Sequence, residues 1–231
     1  MDKDTYTEKL IDYLKEFTTE ARWNTIQDVL SKRTTHLTVV LEDLHKSHNA
    51  NAVLRSCDGF GIQDIHIIEN RTAFDTESTV SIGAHQWLTL HKYNDESQDN
   101  VETCFKNLKG EGYTIIATTP HERDVNLHQL SVSDKTALVF GSEREGISDR
   151  VRDLADGFVK IPMYGFSESF NISVSAAICL YDLTNKLRSG NINWQLSEDY
   201  KTELALLWLK NTIKASDKLV QKFEEEFRTS T

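Results

Sequence analysis

The spacing of apolar positions divides the chain into a helical start, a long alternating middle and a helical end. Leu10, Ile11, Leu14 and Phe17 recur at helical spacing and predict a helix over 4–18. Trp23, Ile26, Val29 and Leu30 predict a second over 22–32. From His36 the pattern changes. Residues 37–41 (LTVVL) form a short unbroken apolar run, the mark of a strand buried on both faces. A polar loop, a helix over 49–59 and a strand over 62–68 (IQDIHII) follow, which together make a βαβ unit. Further strands are expected at 87–93, 113–118, 136–140 and 158–161, with helices at 98–109, at 149–154 and from Asn171 onward. Residues 191–196 read as a connection. Residues 197–228 read as two helices, with Leu204, Leu207, Trp208, Ile213, Leu219, Val220 and Phe223 available to pack. The predicted class is α/β, a mostly parallel sheet covered on both faces. The predicted division is a helical extension over 1–35, a central domain over 36–190 and a second helical extension over 191–231.

Chemistry gathers where the strands end. After the first strand comes SHNANAVLR, with Asn49 near the expected helix start and Arg55 six residues later. At nearly two turns' separation, the pair is expected along one helix face. Asparagine caps helices or binds hydroxyls, and arginine is a fork for phosphate. After the strand at 136–140 comes GSEREG, in which Gly141 and Gly146 flank Glu143. Glycines there permit close backbone approach, but the spacing is neither that of a dinucleotide fold nor that of a P-loop. After the last strand, Pro162 opens a polar loop with Ser167, Glu168 and Ser169, and Asn171 stands as the N-cap of a helix rich in Ser173, Ser175, Ala176 and Ala177. Each loop alone is also consistent with an ordinary connection. Three polar loops after three strands of one α/β domain form a constellation, because ligands of such sheets sit at the carboxyl ends of strands.

Charge and cysteine content narrow the class. A net charge of −10 argues against a broad phosphate-binding surface but leaves room for a local patch. Arg22, Lys32 and Arg33 sit on the first two helices, where a solvated basic face is the better reading from the pattern alone. Cys57, Cys104 and Cys179 lie far apart and make neither a CxxC pair nor a zinc pattern. A polar, acidic start and the lack of a long apolar run complete the expectation of a reduced, metal-free cytoplasmic protein with no membrane span.

The order Asn49…Arg55, then Gly141-Ser142-Glu143-Arg144-Glu145-Gly146, then Ile161-Pro162-Met163 with Ser169-Phe170-Asn171-Ile172-Ser173-Val174, resembles the three motifs of the SpoU branch of the SPOUT RNA ribose methyltransferases. The likeness spans about 37–190. The stretch DVLSKRTTHLTVVLEDLHKSHNANAVLRSCDGFG and the tail LWLKNTIKASDKL further resemble the tRNA (guanosine-18 ribose) methyltransferases. The resemblance implies a deep trefoil knot made from roughly 136–190, a homodimer through the knot region, and an active site drawing on both subunits. It implies S-adenosylmethionine as cofactor, contacted at Thr118, Gly141, Ile161 and Phe170, and tRNA as substrate, with ribosomal RNA or a catalytically silent RNA-binding role as alternatives. Arg55, Asn49, Glu143, Ser169 and Asn171 match the catalytic positions. Arg55 is expected to hold phosphate and stabilise oxyanion charge, and Asn49 to orient Arg55 or the ribose. Glu143 is expected to fix an amide or an arginine, and Ser169 and Asn171 to shape the cofactor loop. RNA binding is expected from the terminal helices, from Arg22, Lys32, Arg33, Lys46 and His48, and from Lys186 and Arg188 after the knot. A dinucleotide-binding enzyme is disfavoured by the missing glycine fingerprint.

Overall fold

The computed structural model describes residues 3–44, 47–71, 83–120 and 125–229, so Lys46 lies outside the described residues. The chain forms two compact units. Residues 34–194 make the larger; residues 1–33 and 195–231, from opposite ends of the chain, make the smaller together.

The larger unit is built on seven strands: β1 (Leu37–Glu42), β2 (Asp64–Ile68), β3 (Thr89–Tyr93), β4 (Thr114–Thr118), β5 (Val125–Asn126), β6 (Thr136–Phe140) and β7 (Gly157–Lys160). They lie in the order β3-β2-β1-β6-β4-β7-β5, and each of these strands pairs with its neighbours in parallel. Central β1 is buried at all six positions, as its unbroken apolar run requires. Its side chains alternate between two cores. Leu37, Val39 and Leu41 meet Val53, Leu54 and Cys57 of α3 (Ser47–Phe60) and Ala176, Cys179, Leu180 and Leu183 of α6 (Ile172–Ser189). Val40 points the other way, to Val101, Phe105 and Leu108 of α4 (Asn100–Gly110) and Val151 of α5 (Asp149–Leu154). Each such side chain taken fully out of water contributes roughly 1.5–3 kcal/mol, which makes these two layers the main stabilising element. The Thr34 hydroxyl donates to the Trp194 carbonyl at 2.6 Å and ties the first residue of the unit to its last.

The predicted elements of this unit are present, within a few residues at their ends. The two-residue β5 and a 3-10 turn at Ala84–Trp87 were not predicted; both are too short to carry a period.

The smaller unit holds α1 (Lys3–Lys15), α2 (Glu20–Leu30), α7 (Glu198–Thr212) and α8 (Ser216–Thr229). Thr19 caps α2 and Ser197 caps α7. α7 ends where Ile213 turns extended, and Ala215, with a left-handed φ of 58°, lies in the connection just before α8. Leu10, Leu14, Ile26, Leu30, Leu204 and Trp208 are buried. Phe17, expected on the buried face of the first helix, lies beyond the end of α1 and is largely exposed. Arg33, expected to contact RNA, is instead 1% exposed, with its guanidinium over the Trp208 ring at 5.3 Å. It is a packing residue. No helix among the described residues is long and apolar enough to cross a membrane.

Candidate active site

Neighbouring strands β6, β4 and β7 end side by side, and the segments that follow them enclose a cavity of about 420 Å³. Thr118 and Thr119 reach it from β4, Gly141 to Ile147 from β6, and Ile161, Met163 and Glu168 to Ile172 from β7. Asn49 enters from α3. All four residues matched to cofactor contact line this one cavity, as do Asn49, Glu143, Ser169 and Asn171.

The loop after β6 is folded tightly on itself. Ser142 and Gly146 exchange main-chain hydrogen bonds of 2.9 and 3.0 Å, and Gly146 takes a φ of 72°. Gly141 has no alternative residue. A Cβ there would lie 2.2 Å from the Gly146 carbonyl and 2.3 Å from the Ile147 nitrogen, both main chain. The fold-back leaves Glu143 half-buried and aimed at α3.

Hydrogen bonds join the three motifs in one chain. Asn171 Oδ1 accepts from the Ser173 main-chain nitrogen at 2.9 Å and so caps α6, as expected. Asn171 Nδ2 donates to Asn49 Oδ1 at 3.2 Å, and Asn49 Nδ2 donates to Glu143 Oε1 at 2.8 Å. Asn49 is 3% exposed, so both ends of its amide need partners and find them. Glu143 fixes an amide, one of its two expected roles. Asn49 lies within the first turn of α3 and orients Glu143 and Asn171; its hydrogen bonds do not run to Arg55.

The expectation that Asn49 and Arg55 share a helix face fails. Six residues advance the helix until the two point roughly 120° apart. Asn49 faces inward, whereas Arg55 is exposed and absent from the cavity wall.

Glu42 was missed. It ends β1, is buried, and accepts from Ser148 at 2.9 Å (main chain) and 2.5 Å (hydroxyl). Burial raises its pKa, against the lowering pull of these bonds. The Ser148 hydroxyl also caps α5, so Glu42 anchors the segment that follows the glycine loop. The signal was a charged residue closing the run LTVVLE. Arg71 pairs with Glu145 at the exposed loop tip, where an ion pair adds little stability. Cys179 sits in the cavity wall, but burial pushes its thiol up to about 12, so it stays protonated and is no nucleophile.

The other RNA candidates divide. Arg22 and Lys32 are exposed, Lys32 pairing with Asp28 at 2.6 Å, and His48 is exposed at the start of α3. Arg188 is exposed; it donates to the Phe60 carbonyl at 2.8 Å and lies over the Trp194 ring at 5.6 Å. Lys186 is committed within the fold. Its ammonium donates to the Leu127 and Leu130 carbonyls at 2.9 and 3.3 Å and pairs with Asp182 at 2.6 Å. Among the described residues no group of three or more His, Cys, Asp or Glu could hold a metal ion.

Comparison with known proteins agrees with this geometry. Residues 36–181 match the SpoU rRNA Methylase family. The tRNA (guanosine(18)-2'-O)-methyltransferase of Borreliella burgdorferi is 39% identical over 214 residues, which is 93% of this chain and 95% of that protein. The enzyme of the same name from Thermus thermophilus is 37% identical over 74% of this chain and 87% of its own length. Among solved structures, the A. aeolicus TrmH/SpoU tRNA modifying enzyme superposes with a TM-score of 0.73 at 27% identity, over 84% of this chain and 98% of that one. With its motifs gathered at one cavity and the family match covering most of the larger unit, this chain belongs to the SpoU methylase family.

Proposed function

We propose that this protein is a cytoplasmic, homodimeric enzyme that transfers a methyl group from S-adenosylmethionine to the ribose 2′-hydroxyl of guanosine 18 in tRNA. The observation that carries the reading is the hydrogen-bonded chain Asn171–Asn49–Glu143 at the wall of a single cavity. It joins all three motifs, and a relative that bears the guanosine-18 name matches 93% of the chain.

The cavity suits the cofactor. Its wall combines apolar Ile161, Met163 and Phe170 with the carboxylates of Glu143 and Glu168, a lining fit for an adenosyl group that carries a positive sulfur. Thr118, Gly141, Ile161 and Phe170 would hold it. When bound, S-adenosylmethionine supplies an already activated methyl group. The protein's task is then to bring the hydroxyl into line and exclude water, where proximity supplies much of the rate. Asn49, Glu143 and Asn171 keep the cavity wall fixed, and Ser169 offers a hydroxyl at its rim.

Arg55 acts from a second copy of the chain. It points away from the cavity that Asn49 lines, so within one subunit it is badly placed for the ribose. Exposed Val174 and Tyr181, seven residues apart on α6, offer an apolar stripe on which that copy can dock. From there the guanidinium holds phosphate and stabilises developing oxyanion charge. A trefoil knot over about 136–190 accords with the loops after β6 and β7 meeting in one cavity with the start of α6. Arg22, Lys32, His48 and Arg188 contact the RNA.

The test is transfer of labelled methyl from S-adenosylmethionine to total tRNA and, separately, to ribosomal RNA, followed by nucleoside mapping. 2′-O-methylguanosine at position 18 of tRNA is expected. Label in ribosomal RNA alone would overturn the substrate, and no label in either would overturn the activity. Arg55→Ala should abolish transfer while cofactor binding persists. Mixed with Glu143→Ala, it should recover about a quarter of the normal rate, from the one intact site in each mixed dimer. No recovery would refute the shared site.

A further inference from the structure

The loop between β7 and α6 carries two aromatic side chains that the fold leaves bare. Tyr164 is 97% exposed and Phe166 is 109% exposed, on either side of Gly165. Neither belongs to a core cluster. Their neighbours in the same loop, Met163 on one side and Glu168, Ser169 and Phe170 on the other, line the cavity. Both rings therefore belong to the loop that forms one wall of the cavity, although neither lines it.

Two facts bear on what covers them. The chain carries a net charge of −10, so phosphate attraction alone is a poor source of RNA affinity here. A ribose in a folded RNA loop reaches a cavity only if its nucleotide leaves the stack, and unstacked bases are held by aromatic faces whatever their sequence. Arg144, exposed on the facing glycine loop and also in the cavity wall, supplies a planar cation of the kind that stacks with bases.

We propose that Tyr164 and Phe166 form a stacking platform for the bases that flank the methylated nucleotide. The platform supplies RNA affinity through base–ring contact. This inference rests on the protein being an RNA ribose methyltransferase, and it adds residues that the three motifs do not assign to RNA.

Binding of unmodified tRNA to the full-length protein is measured across a salt series, for the parent and for Tyr164→Ala, Phe166→Ala, Phe166→Tyr and Phe166→Leu. Each alanine variant should bind about tenfold more weakly. The slope of affinity against salt should stay unchanged, because no phosphate contact is lost. Phe166→Tyr should bind as the parent does, and Phe166→Leu, which keeps apolar area without a π face, should bind like the alanine variant. All variants should retain cofactor affinity and sedimentation behaviour. A variant that dissociates the dimer would overturn the proposal and assign the rings to a second copy of the chain. Unchanged RNA affinity in a preparation whose parent methylates RNA would also overturn it, and would leave the enzymatic reading standing. A parent that neither binds nor methylates RNA would overturn both.

Discussion

Replacing Gly141 with alanine should damage stability and cofactor binding together. The added Cβ would lie 2.2 Å from the Gly146 carbonyl carbon and oxygen, where ordinary contact begins at 3.4 Å. The obstacle is main chain, so no rotamer change can relieve it, and the loop must retreat by about 1 Å. That retreat breaks the paired Ser142–Gly146 hydrogen bonds, each worth about 1 kcal/mol net. Overpacking adds roughly 1–3 kcal/mol, though relaxation of the loop trades one loss against the other. A total of about 2–4 kcal/mol corresponds to a fall in Tm of roughly 5–15 °C for a chain of this size. Glu143 rides on the same loop, and if it acts at the reaction centre as proposed, a displacement of about 1 Å can lower the rate about a hundredfold. Calorimetry for stability, titration with S-adenosylmethionine and single-turnover methyl transfer would each register the change. Gly59→Ala is the control: Gly59 is helical, nothing lies within 4 Å of its added Cβ, and the change should be neutral or stabilise by up to about 1 kcal/mol. An alanine at 141 that melts with the parent and binds cofactor equally well would refute the reasoning.

Arg33→Ala should lower the stability of the helical unit by about 1–3 kcal/mol through lost packing on Trp208, while leaving the salt dependence of tRNA binding unchanged; a shallower salt slope would restore it as a phosphate contact. His66 is held down to about 4, first by burial and then by the neighbouring His91. Its folded pKa is depressed, so its contribution is fully present above about 6.5 and is lost as pH falls toward 4, reaching about 2 kcal/mol by pH 5. His91, raised by its 2.8 Å hydrogen bond to Asp64, works with the opposite sign and contributes most in acid. Urea midpoints at pH 7 and pH 5 should therefore differ less in His66→Gln than in the parent, and an equal difference would refute the assignment.

The fold was legible in the sequence where burial is uniform or periodic. LTVVL, TALVF and IQDIHII announce strands covered on both faces, and the α3 and α4 spacings announce helices. The exposure of Arg33 was not legible. A basic residue after an amphipathic helix is usually solvated, and only the position of Trp208, far along the chain, puts an aromatic face beneath it. The same holds for Lys186, whose partners Leu127 and Leu130 lie in a turn with no pattern of its own. Charge on a surface depends on what the rest of the chain brings near, and local spacing does not carry that information.

The sequence motifs placed Asn49, Glu143, Ser169 and Asn171 together, and these do share one cavity wall, but Arg55 does not join them and the wiring was not legible. Counting two turns between Asn49 and Arg55 suggested a shared face, yet only separations of three, four or seven residues return to one. The failure is informative about the site. Asn49 faces a cavity whose wall Arg55 does not reach, although the two side chains stand on one helix of a well-packed unit. Rotating α3 to bring Arg55 inward would expose Val53, Leu54 and Cys57, each of which is fully buried, and would break the bonds of Asn49 to Glu143 and Asn171. Loss of three such side chains from the core costs several kcal/mol, comparable to the whole stability of a domain. A single subunit therefore cannot turn Arg55 toward its own cavity by a local adjustment of the helix. For Arg55 to act at such a cavity, the cavity must belong to another copy of the chain, and the mixed-variant experiment tests that chemistry and that assembly at once.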